Sequence, residues 1–186
     1  MIDRIFQFDE ALFLQINMGM KNDLFNFLLP KISLLAEPHV LVLLCVIFYI
    51  FGQRKAKISS VLVMLTLGCS ILIAWVLKDV INVSRPLGRF EEIKLIGSPS
   101  FILFPSVHAM GIAIFATALS CKYKRFMVLF IILVLLVAVS RIYMGHNFPS
   151  DIVIGILSGF FMAKMFLGVE DLFKKIFGSD ETNQED

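Results

Sequence analysis

The sequence is poor in charged residues for its length. Only 17% of its 186 residues are Asp, Glu, Lys or Arg, whereas 58% are hydrophobic and the mean hydropathy is +0.85. A soluble domain of this size has about a quarter charged residues and about half apolar ones. The composition therefore predicts an integral membrane protein with one domain's worth of chain.

The sequence also lacks the patterns of a metal site or a disulfide framework. Its three cysteines, Cys45, Cys69 and Cys121, lie in or beside apolar runs without metal-ligand spacing, so they are expected to be small hydrophobic side chains. No carboxylate cluster suggests a divalent ion, and we expect no metal and no cofactor. Residues 1–23 have no basic start followed by an apolar core, so no cleavable signal peptide is indicated.

The apolar runs predict an all-α membrane protein, a bundle of five to six transmembrane helices preceded by an amphipathic interfacial helix. The domains are expected to be an interfacial segment at 1–23, a transmembrane domain at 24–177 and an acidic disordered tail at 178–186. Spans are expected at 38–51, 58–77, 105–120, 126–143 and 149–167. The apolar segment 24–36, which contains Pro30, is either a kinked lead-in to the first span, a re-entrant segment or a surface segment.

Two basic turns predict the orientation of the bundle. They lie at 52–57 and 121–125, between spans one and two and between spans three and four. By the positive-inside rule both are cytoplasmic. The connection 78–104 and the turn 144–150 then share the opposite face.

The turn 140–151 brings three polar side chains to the mouth of an apolar span. Arg141 offers a planar fork of donors suited to phosphate oxygens. His146 is suited to act as base, acid or nucleophile, and Asp151 can accept an imidazole N–H and fix its tautomer. Alternatively, the stretch is a helix-ending turn whose arginine anchors in lipid headgroups.

Two further polar clusters are expected on the same face. Lys78 and Arg85 are seven residues apart and would point the same way on a helix. Pro105 and Ser106 open a span at which free N–H groups would attract an anion, and His108 follows them. Snorkelling cations, an interfacial histidine and a simple helix cap would each explain one cluster, but not the convergence of three.

Phosphoryl transfer is the chemistry that needs this set of groups. Cations and free N–H groups neutralise the phosphoryl oxygens in the transition state. One histidine attacks phosphorus, another protonates the departing oxygen, and a carboxylate orients the first.

Three stretches resemble the signature motifs of the type-2 phosphatidic acid phosphatase superfamily. They are Lys78 through Arg85-Pro86, Pro105-Ser106-Val107-His108, and Ser140-Arg141 through Asp151. The resemblance implies a helical membrane bundle and metal-independent removal of phosphate from lipid phosphates or pyrophosphates through a phosphohistidine. It also implies site roles: Lys78, Arg85, Ser106 and Arg141 would hold phosphate, Val107 would contribute its backbone N–H, His108 would be the general acid and Asp151 would orient the nucleophile.

The chain departs from the family pattern at two positions. Val107 stands where the second motif usually has Gly. In the third motif Asn147 fills the slot of the nucleophilic histidine, and His146 comes one place early. A carboxamide cannot form the phosphoenzyme, and on a regular helix His146 and Asp151 would be about 140° apart, although this turn need not be regular.

The sequence thus leaves two hypotheses open. The chain is an active lipid phosphatase that uses His146, or a catalytically silent member, natural or engineered, that binds lipid phosphate. A small transporter or scaffold would explain the spans but not the three clusters. The expected setting is a bacterial inner membrane with the site facing the periplasm or exterior, and Glu91–Ser100 could form a lid.

The expected partners are the bilayer and a lipid phosphate, with no nucleic acid. The headgroup is left open among phosphatidic acid, phosphatidylglycerophosphate, a polyprenyl pyrophosphate and lipid A. Nothing in the sequence indicates an oligomeric state.

Overall fold

The protein is mainly helical in the part that its computed structural model describes, which is residues 2–81, 93, 95–97 and 104–177. These ranges hold seven α-helices, a short 3-10 helix at Lys124–Phe126 and no strand. The all-α prediction is therefore confirmed. The helices are α1 (Ile2–Gly19), α2 (Asp23–Leu34), α3 (Pro38–Phe51), α4 (Arg54–Ile81), α5 (Val107–Lys122), α6 (Met127–Tyr143) and α7 (Pro149–Phe177).

Three stretches are long and apolar enough to cross a membrane: Ala56–Leu77 in α4, Lys124–Tyr143, which is α6 with the 3-10 helix before it, and Pro149–Val169 in α7. A fourth span results if α2 and α3, which meet at an angle of 54°, are counted as one broken span, and α5 is a shorter apolar helix. The expected order of spans agrees with these helices. The number of crossings, five to six, stays a prediction.

Pro38 causes the break between α2 and α3. A proline disfavours the helical conformation of the residue before it, and Glu37 accordingly has extended backbone angles, φ −61° and ψ 133°. Proline has no backbone N–H, and at the first position of α3 an N–H would have no partner within the helix, so no hydrogen bond is lost there. The break leaves Glu37, an acidic residue in an otherwise apolar region, at the joint between two helices.

Helix α7 packs closely on α5 through two glycines spaced four residues apart. A Cβ at Gly155 would come within 2.8 Å of the Ser106 carbonyl oxygen, and one at Gly159 would overlap the carbonyl oxygen of Met110. Small residues at this spacing let helices in a membrane approach backbone to backbone. This contact holds the start of α7 beside the start of α5.

Helix α1 presents one buried face to the turn between α6 and α7. Asp9, Phe13 and Asn17 follow each other at four-residue intervals, so they share that face, and all three are buried. The Phe13 ring packs edge-on against Phe148 with centroids 5.2 Å apart, and Asn17 Nδ2 donates to the Tyr143 carbonyl oxygen at 2.8 Å. The expected location of residues 1–23 at the membrane interface stays a prediction, and the tail 178–186 lies outside the described residues.

Candidate active site

A glycine turn at the end of α6 sets the position of His146 and Asn147. Gly145 has φ of +79°, a conformation that glycine adopts without strain. Its N–H donates to the Ile142 carbonyl at 3.0 Å, and the His146 N–H donates to the Arg141 carbonyl at 3.1 Å. This is the Schellman pattern of a helix end. Because the chain reverses here, the helical estimate of the angle between His146 and Asp151 does not apply.

The side chain of Asn147 lies among the residues expected to hold phosphate. Its Oδ1 accepts from Arg141 Nε at 3.3 Å and from Ser106 Oγ at 3.2 Å. The other side of the Arg141 guanidinium donates from Nη1 to Ser33 Oγ at 3.4 Å. All four side chains are buried. The carboxamide oxygen thus uses the same two donors that a phosphate oxygen would need.

Helix α5 begins at this cluster. Ser106 precedes its first residue but makes no side-chain cap to it, so the hydroxyl points instead to Asn147. The Val107 side chain packs in the hydrophobic core. The first N–H groups of a helix have no partner within it and carry partial positive charge, and here they lie next to Ser106.

His108 faces an acidic residue that the sequence-based prediction did not single out. Its Nε2 lies 3.1 Å from Glu37 Oε1, and only 6% of the His108 side chain is exposed. The sequence did carry a signal for Glu37, because an ionisable residue inside an apolar stretch is usually functional or paired. Ser33, the partner of Arg141, carried no such signal.

His146 is a buried and neutral imidazole at neutral pH. Only 2% of the residue is exposed, and neither ring nitrogen makes a well-formed hydrogen bond to the described part of the chain. Burial lowers its pKa most and the positive charges of Arg141 and His108 lower it as well, while the nearby Ile96 backbone opposes the shift; the resulting pKa is about 4. A neutral ring keeps a lone pair free for attack on an electrophile.

Asp151 closes the turn from the other side. Its Oδ2 accepts the Phe148 N–H at 2.9 Å, the contact by which an acidic third residue caps a helix. Its backbone oxygen accepts the Ser106 N–H at 3.3 Å. The next residue back, Ser150, is held by Asp9, whose two carboxylate oxygens accept from Ser150 N at 2.8 Å and Ser150 Oγ at 2.6 Å. The position of the turn therefore depends on α1, which sequence reasoning did not connect to the site.

Two expected phosphate ligands cannot be placed. The backbone of Lys78 lies in α4, but its side chain is outside the description, as is all of Arg85. Of the expected lid Glu91–Ser100 only residues 93 and 95–97 are described, and there the Ile96 N–H donates to the Met144 carbonyl oxygen at 3.1 Å. Within the described residues, no group of three or more His, Cys, Asp or Glu side chains could hold a metal ion.

Comparison with known proteins gives consistent matches. The family model described as the PAP2 superfamily matches residues 59–173. The crystal structure of Aquifex aeolicus LpxE superposes with a TM-score of 0.74 and 25% identity, covering 85% of this chain and 93% of that one. The structure of the first transmembrane PAP2 type phosphatidylglycerolphosphate phosphatase from Bacillus subtilis superposes with a TM-score of 0.78 and 26% identity, covering 92% of this chain and 88% of that one.

Two curated relatives are similar over part of their length. YbjG of Escherichia coli K12, provisionally assigned as an undecaprenyl-diphosphatase, is 26% identical over 64% of this chain and 61% of its own length. The lipid A 1-phosphatase of Rhizobium etli is 30% identical over 47% of this chain and 40% of its own length. The chain thus spans less than two thirds of these relatives.

Proposed function

The chain belongs to the PAP2 superfamily, and from this premise we propose that it is an integral membrane lipid phosphatase. The proposed substrate is a phosphomonoester or pyrophosphate of a membrane lipid, such as phosphatidic acid, phosphatidylglycerophosphate, a polyprenyl pyrophosphate or lipid A. One observation carries the proposal: Ser106 comes from one stretch of the chain, Arg141 and the turn 146–151 come from another, and the two stretches meet in one buried cluster.

In the proposed mechanism the phosphoryl group replaces the Asn147 amide oxygen in the cluster. Arg141, Ser106 and the first N–H groups of α5 then neutralise its oxygens, joined by Lys78 and Arg85. A neutral nitrogen of His146 attacks phosphorus, and His108 gives its proton to the departing oxygen as the P–O bond breaks. Asp151 orients the nucleophile by holding the turn that carries His146. Water later attacks phosphorus as the P–N bond breaks, both water protons leave with the phosphate, and no metal ion takes part.

The geometry of Asn147 favours a second candidate function. Its Oδ1 already accepts from Arg141 and Ser106, and a carboxamide cannot replace the family's nucleophile. In this alternative the chain binds lipid phosphate without turnover. We place either activity at a bacterial inner membrane with the site on the periplasmic or exterior face, supported by the basic turns at the opposite ends of the helices.

Release of inorganic phosphate from the four lipid classes, measured with EDTA present, distinguishes the two functions. If the unchanged chain turns over and His146→Ala abolishes it, the lipid phosphatase with a shifted nucleophile is correct. If only Asn147→His releases phosphate, the chain as given is a silent binder. Arg141→Ala should lose activity or lipid-phosphate binding, whereas the matched change Arg125→Ala, in the exposed basic turn, should not. Absence of turnover in every form would contradict membership in the catalytic part of the family.

A further inference from the structure

A line of three ionisable side chains leads from the surface to buried His108. Glu37 lies between two imidazoles: its Oε1 is 3.1 Å from His108 Nε2, a close contact without the alignment of a well-formed hydrogen bond, and its Oε2 is 3.9 Å from His39 Nδ1. The exposed fractions of the side chains are 77% for His39, 19% for Glu37 and 6% for His108. The exposed fraction therefore falls in steps along the line from the protein surface to the site.

The break at Pro38 makes this arrangement possible. Glu37 ends the joint between α2 and α3, and His39 lies in the first turn of α3, so the two side chains are on neighbouring positions at the same end of the bundle. The gap of 3.9 Å exceeds a hydrogen bond, but His39 is exposed and a side-chain rotation can close it.

A buried general acid needs a route by which its proton is replaced. In the proposed reaction His108 loses one proton to the departing oxygen in each turnover, and its burial limits direct contact with water. Histidine and carboxylate side chains are the groups that commonly transfer protons near neutral pH. Among the described residues, the Glu37–His39 pair connects His108 with the exposed surface.

We propose that His39 and Glu37 form a proton relay that recharges His108 from the aqueous face. The inference rests on the proposed role of His108 as general acid. After the leaving group has taken the Nε2 proton of the His108 imidazolium, the His39 imidazolium gives a proton to Glu37 Oε2. Rotation about the Glu37 Cγ–Cδ bond brings the proton to His108, which binds it at Nε2, and the Glu37 carboxylate is restored. Neutral His39 then takes a proton from water, so one proton moves from solvent to His108.

Proton exchange at the His108 ring tests the relay without requiring turnover. The protein is labelled with ¹⁵N-histidine and studied in detergent micelles. NMR then measures how fast the His108 imidazole N–H exchanges with water. Single His→Gln variants assign the signals of the three histidines. Glu37→Gln keeps the size of the side chain but removes its basicity, and should slow this exchange about tenfold or more. His39→Gln should slow it less, because water can still reach Glu37. Asp23→Asn, an acid-to-amide change at an exposed position of α2, is the matched control and should change nothing.

Added imidazole gives the second arm of the experiment. Free imidazole can replace the exposed His39 ring but not the buried Glu37 carboxylate, so it should restore exchange in His39→Gln and not in Glu37→Gln. In any form of the chain that releases phosphate, turnover should fall in Glu37→Gln and, less, in His39→Gln, and added imidazole should restore it in His39→Gln only. An unchanged exchange rate in Glu37→Gln would overturn the relay, whether or not phosphate is released. Absence of turnover together with slowed exchange would contradict the phosphatase and leave the relay supported.

Discussion

Replacing Asn147 by alanine tests whether its amide occupies a phosphate site. The change removes the acceptor of two buried hydrogen bonds, from Ser106 Oγ at 3.2 Å and Arg141 Nε at 3.3 Å. A neutral bond contributes about 0.5–1.5 kcal/mol and one to a charged group about 1.5–3 kcal/mol. Because both are longer than the usual distance of about 2.9 Å, the lower ends apply, and their sum is about 2 kcal/mol.

The variant should therefore unfold at a lower temperature in detergent micelles, and inorganic phosphate should restore the loss. Alanine leaves Arg141 and Ser106 without an acceptor, and a phosphate oxygen can take the vacated position. Phosphate at about one hundred times its dissociation constant stabilises a folded protein by about 2.7 kcal/mol, enough to offset the change. In the unchanged chain phosphate must first displace the amide, so its stabilising effect should be smaller.

Asn17→Ala is the matched control. Asn17 is also fully buried and donates to a backbone oxygen, that of Tyr143, at 2.8 Å, but it lies outside the Arg141 cluster. Its loss should lower the unfolding temperature without increasing the response to phosphate. If Asn147→Ala responds to phosphate no more than the unchanged chain does, the amide does not stand in the position of a phosphate oxygen.

Two further predictions concern packing and pH. Gly159→Val should lower the unfolding temperature by several degrees and reduce phosphate binding, because its Cβ would overlap the Met110 carbonyl oxygen and move α7 away from α5. Gly168→Ala is the control, since no neighbouring atom lies within 4 Å of a Cβ at that position. Equal stability of the two variants would contradict the close contact of α5 and α7. The pKa of His146 falls from 6.5 to about 4 on folding, so the unfolded chain binds more protons than the folded chain between these two pH values. The contribution of His146 to the free energy of unfolding is therefore fully present above pH 6.5 and declines as the pH falls towards 4. His146→Gln should flatten this part of the stability profile measured by thermal unfolding, and an unchanged profile would show that the ring is not buried in neutral form.

The sequence predicted the order of the helices and the meeting of two stretches, those around Ser106 and Arg141; the convergence of the third stretch, Lys78 through Arg85, stays a prediction. Continuous apolar runs and the two basic turns are local features, so the segments could be located without tertiary information. The stretches around Ser106 and Arg141 could be assigned to one cluster because the expected topology places both on the same face. The closeness of α5 and α7 could have been inferred from the four-residue spacing of Gly155 and Gly159, which is a local pattern too.

The remaining contacts depend on tertiary packing that no local pattern encodes. Ser33 reaches Arg141 across 108 residues, and Glu37 reaches His108 only because Pro38 bends the chain between two helices. Asp9 lies in the segment 1–23, for which the sequence predicts only an amphipathic interfacial helix, whereas its carboxylate holds Ser150. The irregular turn at Gly145 likewise changed the expected relation of His146 to Asp151, since helical periodicity ends there.

The contact between Asp9 and Ser150 joins residues 141 positions apart. It can therefore form only late in the synthesis of the chain. The part of the chain that forms α1 to α3 is synthesised first and supplies Asp9, Ser33 and Glu37, all of them before the family match begins at residue 59. These side chains meet their partners only when α5, α6 and finally α7 have been inserted. A nascent chain that stops before α7 would thus lack the contact between Asp9 and Ser150 that holds the turn carrying His146 and Asn147.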